Sequence, residues 1–279
     1  MKNALMLGTF DGVHKGHIEV LTVPYGYKKI AVTFIKSPKA VISGKEEAIT
    51  PFEEKCRILK AAGVDEIYPL DFCKVRDIAA EDFLNILLTE LKPSLISCGF
   101  NYRFGKDGVG NTELIFRFCK EKGIEFRCAS AVEVDGKTVS STLIRNYLKS
   151  GDIETANRLL FEPFGFCAQV KKGAQRGRTI GFPTINQQYP QGIVELKHGV
   201  YKVKVITDSG EYIGIADIGI RPTYPTDGVI SETYIKDFSG DLYGKNIKII
   251  PLEFLRDEKR FDSIEALKKQ IAEDLDKIK

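Results

Sequence analysis

The scarcest reactive side chains of this chain are clustered. Three histidines occur in 279 residues, and two of them, His14 and His17, stand three apart in "GTFDGVHKGH" (Gly8–His17). Imidazoles at i and i+3 of a helix start share one face, so both can reach the same oxygens of a single ligand. The glycines let backbone approach that ligand closely. The free N–H groups and dipole of a helix N-terminus favour negative charge there, and a phosphate is the natural occupant.

Four further stretches carry chemistry. In "VSSTLIR" (Val139–Arg145), Ser140, Ser141 and Thr142 can cap a helix aimed at phosphates while Arg145 adds a bidentate charge; read alone, the block is simply a good N-cap. "GFNYRFGKDGVGN" (Gly99–Asn111) is either a plain turn after a strand or a loop whose Gly105, Lys106 and Gly110 suit close approach to a ligand. "KKGAQRGRTIGFPTIN" (Lys171–Asn186) is a Gly/Arg-rich loop in which Gly173, Gly177 and Arg178 suit folding over phosphates, with Thr184 and Asn186 offering oxygens to a magnesium ion. Its plainer reading is a basic surface hairpin. Glu232, in "ISETYIKDF", is either a solvent-facing strand residue or a carboxylate placed to accept a hydroxyl proton.

These residues need elements to hold them. Up to about residue 160, strand-like runs ("ALMLG", "KIAVTF", "EIYPL", "SLISCG", "IEFRCAS") alternate with helix-like ones ("PFEEKCRILKAAG", "AAEDFLNILLTEL", "NTELIFRFCKEKG", "SSTLIRNYLKSGDIETANRLL"). That order predicts βαβ units and a parallel sheet with helices on both faces. Beyond it, short β-branched and aromatic segments ("FGFCAQVKKG", "HGVYKVKVI", "EYIGIADIG", "SETYIKDF", "NIKIIPLEF") are parted by Gly, Pro and Asp turns, which predicts an antiparallel barrel or sandwich. Ser263 caps a closing helix with apolar positions 264, 267, 271 and 275. A boundary near Phe161–Gly165 gives two domains, 1–162 and 163–279.

Composition excludes several classes. The net charge of +3 arises from 41 basic and 38 acidic residues, so no basic excess argues for nucleic acid or a membrane surface. No stretch approaches the ~20 apolar residues of a membrane helix, and the apolar run before "TFDG" is too short for a signal-peptide core. Six cysteines, at 56, 73, 98, 119, 128 and 167, lack ligand-like spacing and read as buried small hydrophobes in a reducing cytosol. The expectation is a cytoplasmic protein acting on small molecules; oligomeric state is not read.

"GTFDGVHKGH" resembles the G-x-F-D-G-x-H-x-G-H signature of nucleotidyltransferases, specifically the flavin adenylyltransferase module of bacterial bifunctional riboflavin kinase/FAD synthetases. "VSSTLIR" and "GFNYRFG" are similar to that module's S-S-T-x-I-R and G-x-[DN]-F-x-F-G segments. "GRTIGFPTIN" resembles the riboflavin kinase motif G-R-x-x-G-F-P-T-x-N. The resemblance spans about Leu5 to Asp274. It implies a Rossmann-like α/β nucleotidyltransferase domain followed by an antiparallel β-barrel riboflavin kinase domain. It also implies conversion of riboflavin and ATP to FMN, then of FMN and ATP to FAD, with Mg2+ bridging phosphates.

By the same resemblance, His14 and His17 are catalytic, with Gly8, Phe10, Asp11, Gly16, Ser140, Ser141, Thr142 and Arg145 around ATP. In the kinase half, Gly173, Arg178 and Thr184 hold phosphate, Thr184 and Asn186 hold metal, and Glu232 is the catalytic glutamate. Asn101 and Arg256 are implied on the flavin side. Two departures stand out. Only "IEVLTVPYGYKK" follows the second histidine, room for a short crossover helix, and "TFIKSPKA" (Thr33–Ala40) has Lys36 and Lys39 where the family has T-F-x-P-H-P. They leave open a kinase whose first module is impaired in FAD synthesis. A flavin- or nucleotide-binding regulator without turnover is a third reading.

Overall fold

Residues 4–7 have no polar face to offer. In β1 (Lys2–Leu7), Ala4, Leu5, Met6 and Leu7 are all essentially inaccessible, as expected of a central strand buried on both sides. The computed structural model describes residues 2–173, 177, 180–220 and 228–278, so Arg178 lies outside the described residues. Two compact units divide the chain. The first runs through Ile144 and adds Leu159–Glu162 and Gly192–Val194; the second holds Arg145–Arg158, Pro163–Gln191 and the chain from Glu195 onward.

In the first unit, β1, β2 (Tyr27–Phe34), β3 (Glu66–Leu70), β4 (Pro93–Gly99) and β5 (Glu125–Ala129) form a parallel sheet in the order β3-β2-β1-β4-β5. Alternate residues of β1 feed separate cores: Leu5 and Leu7 join Leu84, Leu87, Ile115 and Phe118, while Ala4 and Met6 join Val20, Ile58 and Leu59. The helices supplying those side chains are α5 (Ala80–Leu91) and α6 (Thr112–Lys122) on one face, and α1 (Lys15–Leu21) and α3 (Phe52–Ala61) on the other. Two short helices, α2 (Pro38–Ser43) and α4 (Phe72–Val75), follow β2 and β3, and after β5 a small antiparallel hairpin pairs β6 (Glu133–Val134) with β7 (Lys137–Thr138). The order reverses at β1/β4, which opens a crevice at the carboxyl ends of those two strands.

The predicted helix over 140–160 is two helices, α7 (Ser141–Ser150) and α8 (Ile153–Leu159). Gly151 between them adopts φ +86°, and the Asp152 carboxylate accepts from Thr155 N at 3.2 Å to restart the helix. The thiols also depart from expectation. None is in a disulfide, but only Cys98 and Cys119 are buried, and Cys73, Cys128 and Cys167 are exposed.

The second unit closes its strands into a barrel, in the order β10-β11-β12-β9-β8-β13, with every described pairing antiparallel. These are β8 (Phe166–Lys171), β9 (Thr184–Gln188), β10 (Gly199–Thr207), β11 (Gly210–Ile220), β12 (Val229–Ile235) and β13 (Asn246–Arg256). Closure leaves no free sheet edge. β9 is the strand that periodicity missed, because "TINQQ" has only one strongly apolar residue.

The closing helix, Ile264–Lys277, begins as expected at Ser263, whose hydroxyl accepts from Ala266 N at 3.1 Å. It is fastened by Arg256, which donates through Nε (2.9 Å) and Nη2 (2.8 Å) to Asp274 Oδ2. Asp274 is 2% exposed and also accepts from Gln270. Removing one partner of such a pair strands the other in a poorly solvated place. Asp274→Ala should therefore lower unfolding stability by about 3 kcal/mol, read as a shift in the chemical-denaturation midpoint.

Candidate functional site

The loop after β1 carries unusual backbone. Phe10 (φ +50°), Gly12 (φ +81°) and Val13 (φ +33°) all lie in the left-handed region within four residues. Non-glycine residues held there signal strain that the surroundings enforce. Here Phe10 is wholly buried and folds its ring back over Gly8, where a Cβ would sit 3.0 Å from that ring. The detour delivers His14 to the start of α1, with φ −93° and ψ 173°, as its N-cap.

The two histidines cap the helix reciprocally. His17 N donates to His14 Nδ1 (3.3 Å), and His14 N donates to His17 Nδ1 (3.2 Å). The rings stack with centroids 3.6 Å apart and planes 16° from parallel, and Phe10 meets His17 edge-on at 5.2 Å. An Nδ1 that accepts cannot carry the proton, so each neutral ring keeps its hydrogen on Nε2. His17 is held neutral: burial first, then His14 and Lys55, push its pKa well below the usual 6.5.

Both imidazoles line a cavity of about 730 Å³ at the carboxyl ends of β1 and β4. Gly8, Phe10, Gly16, Asn101, Ser140, Ser141 and Thr142 line it too. Ser140 Oγ accepts from Leu143 N at 3.2 Å, the N-cap bond of α7, and Ser141 Oγ donates to Asp11 O at 2.8 Å. Asp11 itself stands behind the wall, its Oδ1 accepting from Ile49 N (2.9 Å) and Thr50 N (3.2 Å). It therefore shapes the loop, and presents no carboxylate to an anion. Arg145 is half-buried, has an interaction of its own and belongs to the second unit.

One end of the cavity is apolar. Phe34, Pro38, Ile42, Phe72 and Val75 line it, with Phe34 and Phe72 edge-to-face at 5.8 Å. The departure at "TFIKSPKA" is what builds this wall: Ser37 caps α2 by accepting from Ala40 N (3.1 Å), which turns Pro38 and Ile42 to the cavity. Lys36 and Lys39 are exposed and are not among its lining residues.

In the second unit, strand register does the positioning. Glu232 pairs with Asn186 across β12 and β9, Asn186 with Lys171 across β9 and β8, and Glu232 with Asp217 across β12 and β11. Directly paired residues point to one face, so Lys171, Asn186, Glu232 and Asp217 form one row, with Thr184 two residues along β9 on the same side. Gln187, Ser231 and Thr233 point the opposite way and are fully buried. Gln187 Nε2 donates to Ile247 O (2.9 Å) and Ala168 O (2.6 Å), pinning β9 to β8 and to β13 beyond it. Gly173 lets its loop lie on Asn186, where a Cβ would be 2.6 Å from the amide carbon. Arg256 is turned to Asp274 rather than to this row.

Sequence reasoning passed over Lys55, Asp217 and Gln187. Lys55 had a signal: it stands on the face of α3 that carries Ile58 and Leu59, and is 6% exposed. Asp217 and Gln187 had none, because strand register became known only with the pairings.

Comparison with known proteins assigns the halves. A family model described as FAD synthetase matches residues 1–143, and one described as riboflavin kinase matches residues 160–279. The chain is 35% identical to a bifunctional riboflavin kinase/FMN adenylyltransferase of Pseudomonas fluorescens, over 96% of this chain and 89% of that one. It is 32% identical to its counterpart in Escherichia coli K12, over 97% and 90%. A crystal structure of a macrolide-efflux protein from Streptococcus pneumoniae superposes with a TM-score of 0.90 at 30% identity, covering 99% of this chain and 93% of that one. Among the described residues no helix is long and apolar enough to cross a membrane.

The depressed His17 pKa fixes a stability trend. Below 6.5 the unfolded chain takes up a proton at this residue that the folded chain refuses, so stability falls as pH falls. Unfolding free energy should fall as pH is lowered from 6.5 to 5.5, measured by denaturation followed by circular dichroism, and His17→Gln should flatten the slope.

Proposed function

From the fact that the chain belongs to the bifunctional riboflavin kinase/FMN adenylyltransferase family, we propose a division of its two reactions between residues 1–162 and 163–279. The protein phosphorylates riboflavin with ATP to give FMN, and transfers the adenylyl group of ATP to FMN to give FAD and pyrophosphate. Both halves match their own family model, which supports this reading over a kinase alone.

For adenylyl transfer, an FMN phosphate oxygen attacks the α-phosphorus of ATP while the bond to the bridging oxygen breaks and pyrophosphate leaves. No protein nucleophile is needed, so catalysis is alignment plus stabilisation of charge on phosphate oxygens. The observation that carries the assignment is the pair of stacked, mutually capped imidazoles in the cavity wall. In this reading their Nε2–H groups donate to the α-phosphate, while Ser140, Ser141 and Thr142 at the start of α7 receive the pyrophosphate and Arg145 adds charge. Gly8 and Gly16 let phosphates approach, Phe10 and Asp11 hold the loop, and the apolar wall takes the flavin ring with Asn101 at its polar margin.

For the kinase, the riboflavin hydroxyl attacks the γ-phosphorus, its proton passes to the Glu232 carboxylate, and ADP leaves. Gly173 and the loop after it would cover the phosphates, with Arg178 assigned there by motif alone. Thr184 and Asn186 offer hard oxygen donors on the face that carries Glu232, which suits magnesium. Among the described residues no cluster of three or more His, Cys, Asp or Glu could hold a metal, so the ion would arrive with ATP. When bound, it supplies neutralisation of phosphate charge. Arg256 would act on the flavin end through the closing helix it anchors. Six cysteines with no disulfide among them support a cytoplasmic location.

Two substitutions separate the halves, with products followed from riboflavin, FMN and excess ATP–Mg. Glu232→Ala should cut FMN formation by roughly 10²–10⁴-fold while supplied FMN still becomes FAD. His14→Ala should reduce FAD formation by roughly 10²–10³-fold and spare FMN formation. Equal loss of both activities in either folded variant contradicts the division.

A further inference from the structure

The first unit buries a cation that neither reaction, as described, uses. Lys55 Nζ donates to Phe34 O (2.7 Å), Thr9 O (3.2 Å) and Thr33 Oγ1 (3.3 Å), and the Thr33 hydroxyl donates to the same Thr9 O at 2.9 Å. Thr33 is wholly buried, and the Phe52 ring lies 5.3 Å from Nζ. An ammonium has three N–H donors, and here each has an acceptor. Phe34 ends β2 and opens the apolar wall, whereas Thr9 opens the strained loop that leads to the two histidines. Thr9 and Phe34 both line the cavity.

We propose that Lys55 is a positioning residue for adenylyl transfer: its ammonium ties the end of β2 to the loop after β1, setting the gap between flavin wall and phosphate loop, and places one positive charge behind His17. The proposal rests on reading this cavity as the adenylyl-transfer site. An error of an ångström between reacting groups is enough to slow a reaction about a hundredfold. The charge has a second consequence, because a cation near an imidazole disfavours its protonation. Burial and His14 act on His17 in the same direction, and Lys55 adds to them.

The groups facing Lys55 oppose one another. Burial pushes its pKa down to about 8, while the Asp11 carboxylate and the neighbouring Cys56 thiol pull it up. Loss of the proton leaves two donors for three acceptors, so the tie loosens as pH rises through about 8.

The test uses full-length Lys55→Met and Lys55→Arg. Three readouts are needed: FAD formation from FMN, FMN formation from riboflavin, and ring-proton NMR titration of the three histidines, with His17 assigned by His17→Gln. Lys55→Met should lower kcat for FAD formation roughly 10- to 100-fold, with KM for ATP within about threefold and FMN formation unchanged. Its His17 midpoint should move up toward 6.5, which a merely structural role would not cause. Lys55→Arg keeps the charge but not the three-point geometry, so it should keep the low His17 midpoint and lose part of the rate.

Wild-type kcat together with an unmoved His17 midpoint in a folded Lys55→Met protein overturns the proposal. If that variant does not fold, Lys55→Arg and the wild-type profile decide. A full-rate arginine variant, with wild-type FAD formation flat from pH 7 to 9.5, overturns it equally. A wild-type protein that binds FMN and ATP but makes no FAD would instead sink the reading of the cavity, and the His17 titration would still report on the charge of Lys55.

Discussion

The reciprocal hydrogen bonds between His14 and His17 are the interaction on which the first unit's cavity wall depends. Each ring spends Nδ1 on a main-chain N–H of the first turn of α1, which fixes tautomer, ring orientation and stacking at once. Each neutral ring then keeps its Nε2–H in a fixed position, and under the proposed adenylyl transfer such preorganised donors would stabilise developing charge. The cost appears in the preceding loop. Phe10 and Val13 adopt left-handed backbone, tolerated because Phe10 is wholly buried and Asp11 is latched by two main-chain N–H groups. Asp11 thus holds the loop from behind and is not among the cavity's lining residues.

The second unit reaches a comparable end by a different route. An antiparallel barrel has a side-chain period of two, so register alone decides which residues share a face. Asn186 opposite Glu232 puts an amide and a carboxylate side by side, and a slip by one residue would replace them with Gln187 and the hydroxyls of Ser231 and Thr233. Gln187 works against that slip. Its amide donates to the main chain of both β8 and β13, a pairing that a shifted β9 would lose.

Much of this was legible in residue order. The parallel first half followed from alternating strand and helix patterns, and the elements at Glu66–Leu70, Ala80–Leu91 and Ile264–Lys277 fall where periodicity and caps put them. The motifs led directly to the cavity wall. What was not legible has physical causes. β9 lacked an apolar pattern because its outward face carries polar site residues, and Gly151 broke a helix whose periodicity continued across it. The lysines of "TFIKSPKA" marked a departure from the family motif, but it is Pro38 and Ile42 of α2, not the lysines, that line the cavity.

By itself the sequence determined the two-part architecture, the motifs that line the first unit's cavity and the starts of the longer helices, because caps, glycines and hydrophobic period act over a few neighbouring residues. Only the tertiary structure decided which groups line the cavity and which stand behind its wall. Asp11 and Lys55, separated by 44 positions, converge beneath one loop, and Arg256 turns to Asp274. Such meetings depend on sheet order and strand register, quantities that no local window of residues contains, and burial then sets whether a side chain keeps its ordinary charge.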